Sequence, residues 1–89
     1  MEQSPQRLSV ADVRRLLVRS RGHQPQVLIG VEADLPPQLD NTACLVQRAD
    51  GSWEVSYFER GSYFDQRVFG TEDGACRDFL AMLRIPVDG

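Results

Sequence analysis

Residues 53–71, WEVSYFERGSYFDQRVFGT, constrain the fold more than any other part of the chain. Two aromatic-rich runs flank a polar turn, Arg60-Gly61-Ser62, and the second run stops at a helix-start signal, Thr71-Glu72-Asp73. In an extended strand, successive side chains point to opposite faces. Trp53, Val55 and Tyr57 therefore share one face, and Glu54, Ser56 and Phe58 share the other. Residues 63–69 are less regular. Phe64, Gln66 and Val68 alternate with Tyr63, Asp65, Arg67 and Phe69, so neither face is cleanly apolar, and a bulge or an edge position is expected.

The flanking sequence extends this hairpin into a sheet. Asp50-Gly51 is a strong hairpin signal and joins a strand over 42–48 to the strand over 53–59. QVLIGV at 26–31 reads as a first strand. The segment between, EADLPPQLDN, holds Pro36-Pro37, which deny regular pairing and stiffen the link. Helices bracket the sheet. Ser9 is a good N-cap, with Asp12 in the capping-box position and Leu8 and Val13 placed as a hydrophobic staple. Val10, Val13, Leu16 and Leu17 form its apolar stripe, and the helix over 10–20 should close near Ser20-Arg21-Gly22. Thr71 caps a second helix over 71–84, with Glu72 and Asp73 at its positive end. Cys76, Phe79, Leu80 and Leu83 are its stripe, Ala75 and Met82 lie beside it, Arg84 closes it and Pro86 stops it.

The expected fold is α+β: helix, four-stranded mainly antiparallel sheet, helix, with both helices on one face of the sheet. Residues 1–89 make a single small domain, with 1–7 as a flexible lead. The expected core is Val13, Leu17, Leu28, Cys44, Val46, Val55, Phe79, Leu80 and Leu83, joined by Trp53 or Tyr57. The other face of the sheet stays largely open.

Chemistry is sparse. No GxGxxG, Walker, HExxH, CxxC or GxSxG pattern occurs. His23, the one histidine, sits in a loop and reads as exposed and idle. Glu72 and Asp73 read as helix capping, and Glu54 and Glu59 fall on opposite faces rather than forming a paired acid–base site. The two cysteines, Cys44 and Cys76, allow one disulfide but read as small buried hydrophobes. They are too few for a structural zinc site. No enzyme, no metal and no cofactor are expected. No run approaches the roughly 18–20 apolar residues of a membrane span. The polar N-terminus does not read as a secretory signal. A cytoplasmic protein that does not engage membranes is expected.

Charge is unevenly placed. The ten basic residues are all arginine, and the chain carries a net charge of −3. Residues 1–30 hold five arginines against two acids, whereas residues 31–89 hold five against eleven. Arg14, Arg15, Arg19 and Arg21 could meet nucleic acid phosphates beside an aromatic sheet. The acidic remainder opposes the nonspecific attraction on which such binding depends.

The pattern W-E-V-S-Y-F-E-R-G, followed by V-F-G-T-E-D-G-A-C-R-D-F-L-A-M-L, resembles small actinobacterial proteins associated with polymorphic toxin systems. Their typical form is a Trp-rich hairpin, a Glu-Arg-Gly turn and a Phe-x-Thr-Glu-Asp-x-Ala-Cys helix start. Here these fall on Trp53, on Glu59-Arg60-Gly61, on Phe69 and on Thr71 to Cys76. The likeness covers residues 53–83, and Gly74 departs from the acidic residue expected there. The arginine-only usage fits a GC-rich bacterial genome. The resemblance implies an immunity protein or a domain accompanying a toxin. The leading expectation is thus a noncatalytic protein-binding module that neutralises a partner toxin. Asp34, Asp40, Asp50, Glu54, Glu59 and Asp65 would meet a basic partner surface, with Phe58 and Tyr63 as aromatic anchors. The alternatives are a self-associating structural or regulatory domain, paired as a homodimer through an edge strand, and a nucleic-acid-binding domain using the arginines of helix one.

Overall fold

A computed structural model describes residues 7–20, 26–34 and 40–87. The elements run α1 (Val10–Arg19), β1 (Gln26–Val31), a 3-10 turn (Glu32–Asp34), β2 (Thr42–Gln47), β3 (Trp53–Glu59), β4 (Ser62–Phe69) and α2 (Glu72–Met82). The four strands form one sheet in the order β1-β2-β3-β4. The α+β class and the helix–sheet–helix order are as the sequence predicts. The expected frayed lead over 1–7 lies outside the described residues except for Arg7. Arg21, Gly22, His23 and the Pro36-Pro37 pair also lie outside them.

Two of the three strand pairings are antiparallel, β2 with β3 and β3 with β4, whereas β1 runs parallel to β2 with Gln26 opposite Thr42. The link over 32–41 must therefore return the chain to the starting level of β1. A six-residue strand is about 17–20 Å long, and ten residues can reach at most about 33–36 Å, so a short crossover suffices. The antiparallel joins are tight. In the first, Gly51 donates to the carbonyl of Arg48 at 2.9 Å, Arg48 donates back to Ser52 at 2.7 Å, and Gly51 takes a φ of +92°. The second is a two-residue turn with Arg60 and Gly61 both at positive φ, +55° and +80°. That is the twist a type I′ hairpin needs, and it leaves Ser62 inside β4, opposite Glu59.

The predicted irregularity in the last strand is a bulge. Val55 pairs with Arg67 and Tyr57 with Phe64, so β4 spends one residue more than β3 between these pairs. Asp65 takes the left-handed conformation there, at φ +53°. The extra residue resets the alternation. Phe64, Arg67 and Phe69 share the face of Val55, and Tyr63 and Val68 share the face of Glu54. Arg67 fastens the bend: Nη1 donates to the Asp65 carbonyl at 2.6 Å, and Nε donates to Asp78 Oδ2 on α2 at 2.7 Å.

Both helices cover the face that carries Val55. Leu8, Val13, Ala43, Leu45, Val55, Ala75, Cys76, Phe79, Leu80 and Ile85 form the core, with Leu17, Trp53, Tyr57 and Leu83 packed partly buried against it. Three expected core residues belong to the other face. Leu28 pairs with Cys44, Cys44 with Ser56 and Val46 with Glu54. Ala43 and Leu45 are the residues that β2 turns to the helices. The strand TACLVQ is apolar in both phases, so its own alternation does not select one.

The helix ends explain how the layers join. At α1 the Ser9 side chain accepts from Asp12, and the Asp12 carboxylate accepts the Ser9 N–H at 2.9 Å, a complete capping box. The staple residues Leu8 and Val13 are both buried. Two further N–H groups at this end are satisfied from the other helix. Leu8 donates to Asp73 Oδ1 at 2.7 Å and Val10 to Glu72 Oε2 at 2.8 Å. The first-turn acids of α2 thus cap α1 as well as favouring their own helix. At the α2 N-terminus, Thr71 Oγ1 accepts from Gly74 N at 3.1 Å. A Cβ on Gly74 would lie 3.1 Å from that hydroxyl and 3.4 Å from Phe69 Cδ2, which gives a local reason for the missing acid. At its C-terminus, Arg84 N–H bonds to Ala81 and Ile85 N–H to Leu80, with Arg84 at φ +59°. This is a Schellman motif, with Ile85 buried over Leu80.

Two outcomes are expected. Arg84 occupies a position that suits glycine, so Arg84→Gly should raise stability by about 1 kcal/mol in a denaturant titration; an unchanged or lower midpoint would count against the motif. The Leu8 N–H, followed by Arg77, holds the Asp73 carboxyl below its ordinary range. A depressed folded pKa contributes stability above the unfolded value of about 3.9, which is lost as pH falls through the folded value. Asp73→Asn should therefore melt below the parent at neutral pH, and the two melting temperatures should converge as the pH falls through the lowered folded value of Asp73.

Candidate functional site

The face of the sheet opposite the helices is the open one expected from the sequence, but it is not flat. Its middle is made of small or short side chains, Cys44 and Ser56, both buried. Longer side chains rise around them. The result is a concavity of about 190 Å³ lined by Leu28, Glu32, Cys44, Val46, Arg48, Glu54, Ser56, Tyr63 and Gln66. Each strand contributes for a reason of register. The hairpin at Gly51 sets Val46 against Glu54 and Cys44 against Ser56, parallel pairing sets Leu28 against Cys44, and the tight turn at Arg60-Gly61 sets Tyr63 against Phe58 on the same side.

Its polar groups are few. Glu54 Oε2 accepts from Gln66 Nε2 at 2.9 Å, and Arg48 Nε stands 4.0 Å from Glu54 Oε1. The Glu54 side chain keeps 22% of its accessible surface. Glu32 Oε1 accepts the Ala49 N–H at 2.8 Å. Burial pushes the Tyr63 hydroxyl above its usual range, with Cys44 and the Glu54 charge acting in the same direction. Beside the concavity, Phe58 and Tyr63 pair edge to face, with ring centroids 4.9 Å apart. Tyr63 is 41% exposed.

The candidate residues from the sequence divide clearly. Glu54, Phe58 and Tyr63 come together on this face. Asp40 and Asp50 serve turns: Asp40 Oδ1 accepts the Arg60 N–H at 2.9 Å, and Asp50 Oδ1 accepts from Ser52 N and Oγ at 2.9 and 2.6 Å. Asp34 ends the 3-10 turn and is exposed. Glu59 has the phase of Tyr57 and falls on the helix side, and Asp65 sits in the bulge. The sequence reading missed Glu32, Arg48, Ser56 and Gln66, and assigned Leu28, Cys44 and Val46 to the core. A signal was present. Val55 is flanked by Glu54 and Ser56, and counting back through the Asp50-Gly51 turn pairs it with Leu45.

Two of the three arginines of α1 have local partners. Arg14 Nη2 donates to the Ile29 carbonyl at 3.3 Å, and Arg15 pairs with Asp12. The two cysteines are separate, since Cys44 belongs to the open face and Cys76 to the helix core. Among the described residues, no three His, Cys, Asp or Glu side chains gather as a metal site, and no helix is long and apolar enough to cross a membrane. No protein-family model, no curated protein and no solved structure matches the chain.

Burial and neighbouring acids push the Cys76 thiol up to about 12. Burial, reinforced by Glu54 and opposed by Ser56, raises Cys44 as well. Nucleophilic cysteine chemistry needs the thiolate. Neither thiol should react with iodoacetamide at pH 8 in the folded protein, and both should react at the rate of unfolding. Fast alkylation of Cys44 under native conditions would show the concavity floor to be open.

Proposed function

We propose that the protein is a noncatalytic protein-binding module whose docking surface is the open face of the sheet, and that its partner is a toxin domain it neutralises. The observation that carries the first part is the Phe58–Tyr63 pair standing beside a concavity on the face no helix covers. Aromatic anchors next to a pocket are typical of the residues that dominate interface energy. The half-buried Glu54 supplies charge at the same place, and charge at an interface selects the partner and speeds encounter. The toxin half of the proposal rests on the likeness of residues 53–83 to immunity-type proteins. The hairpin that carries that likeness also carries Glu54, Phe58 and Tyr63.

The nucleic-acid alternative draws less support, because Arg14 and Arg15 already have partners within the domain, the Ile29 carbonyl and Asp12. The self-association alternative has one feature in its favour. β4 is an edge strand with Phe64 and Val68 about half exposed.

The test is co-purification of the protein with the product of the neighbouring gene, followed by co-expression in cells. A stable complex and rescue from toxicity are expected. Phe58→Ala and Tyr63→Ala should each weaken the complex by roughly 2 kcal/mol, about thirtyfold in Kd, with little loss of fold. Rescue by neither the parent nor the variants would remove the toxin reading. A complex unaffected by both substitutions would move the docking surface elsewhere, and a homodimer without any other partner would favour the β4 edge.

A further inference from the structure

We propose that the concavity on the open face is a receptor for one basic side chain, an arginine or lysine presented by a protein partner. The inference rests on the protein-binding reading above and names what that surface recognises. The concavity is shaped for a long side chain with a charged tip. Leu28, Val46 and the Tyr63 ring form apolar walls that suit an aliphatic stem. Glu54 closes one side with a carboxylate whose two oxygens are used unequally. Oε2 accepts from Gln66, and Oε1 accepts no hydrogen bond among the described residues, its nearest cation being Arg48 at 4.0 Å. That distance is beyond a hydrogen bond. A carboxylate with most of its surface removed from water and one oxygen unfilled gains from a charged donor more than an exposed one does.

The charges around the concavity favour a cation. Among the described lining residues, Glu32 and Glu54 stand against Arg48 alone, on a chain whose net charge is −3. Arg48 itself keeps 41% of its side-chain surface. It stands at the rim as a loosely held competitor for the same oxygen, and a better-placed guanidinium or ammonium displaces it. An anion would meet Glu54 and is excluded. A purely apolar side chain would fill the walls but would cover Glu54 Oε1 and leave that oxygen without a donor.

The test uses the full chain, labelled with nitrogen-15, and two blocked tripeptides, Ac-Gly-Arg-Gly-NH2 and its norleucine counterpart. The arginine peptide should shift the amides of Leu28, Val46, Glu54 and Gln66 with a dissociation constant of about 1 mM, as expected of a single anchor. The norleucine peptide should bind at least about tenfold more weakly. Glu54→Gln, which preserves the shape and a partner for Gln66, should reduce the arginine peptide to the norleucine level. Arg48→Ala should move the other way and strengthen it by about threefold. Opposite signs from two neighbouring substitutions separate recognition from damage to the fold, which the same spectra report. Equal binding of the two peptides, or no shifts up to about 50 mM, overturns the inference. A partner protein that binds the parent and Glu54→Gln equally well also overturns it, while leaving the protein-binding reading intact. Peptide recognition without any partner in co-purification would defeat that reading and leave the receptor in place.

Discussion

The structure hinges on two carboxylates at the start of α2 that do the work of a cap for α1. A helix of ten residues is marginal in water even with good helix formers, and α1 presents only Val13 as a fully buried side chain. Its N-terminal N–H groups would compete for water if left alone. Glu72 takes that of Val10, the first helical residue, and Asp73 takes that of Leu8 just before the N-cap, each across a sequence separation of more than sixty residues. The same contact sets where α1 begins, how it lies against α2, and hence which part of the sheet the pair covers. Because both helices are committed to one face in this way, the other face is left to the strands alone.

The strands then divide their side chains by register. Val55 anchors one face, and the tight turns on either side of β3 assign every neighbour to that face or the opposite one. The bulge at Asp65 is what makes the assignment work in β4. Without it, Phe64 and Phe69 would point in opposite directions, and Arg67 could not share a face with Phe64. With it, Arg67 reaches Asp78, Phe69 joins the helix side and Val68 faces out beside Glu54. A single left-handed residue thus lets both ends of a strand of mixed polarity serve the helix layer on one side, while the Arg60-Gly61 turn sets Tyr63 beside Phe58 on the other.

What the sequence shows well is local. The caps at Ser9 and Thr71, the glycine turns and the alternation through Trp53–Glu59 each depend on residues a few positions apart, and all appear in the structure. What it hides is set at a distance. The phase of β2 is ambiguous because Ala43, Cys44, Leu45 and Val46 are all apolar, and only pairing with β3 resolves it. The parallel course of β1 depends on a link whose composition says little about direction. Arg84 in a left-handed cap carries no glycine signal, so the burial of Ile85 follows from hydrogen bonds that no local pattern announces. The site was half legible for the same reason. Glu54, Phe58 and Tyr63 stand out on one hairpin, whereas Glu32, Arg48 and Gln66 reach them only through tertiary register.

The bend in β4 has a consequence for how this chain behaves at high concentration. An open strand edge with Phe64 and Val68 exposed is the kind of ribbon that can stack into fibrils. At Asp65 the backbone leaves the extended conformation, and the Asp65 carbonyl is already held by Arg67. An incoming strand can keep register for only about three or four residues on either side of that point, fewer than the roughly six of a steric zipper. The bulge that turns Arg67 and Phe69 to the helix side therefore also makes the β4 border of the sheet a poor template for amyloid growth.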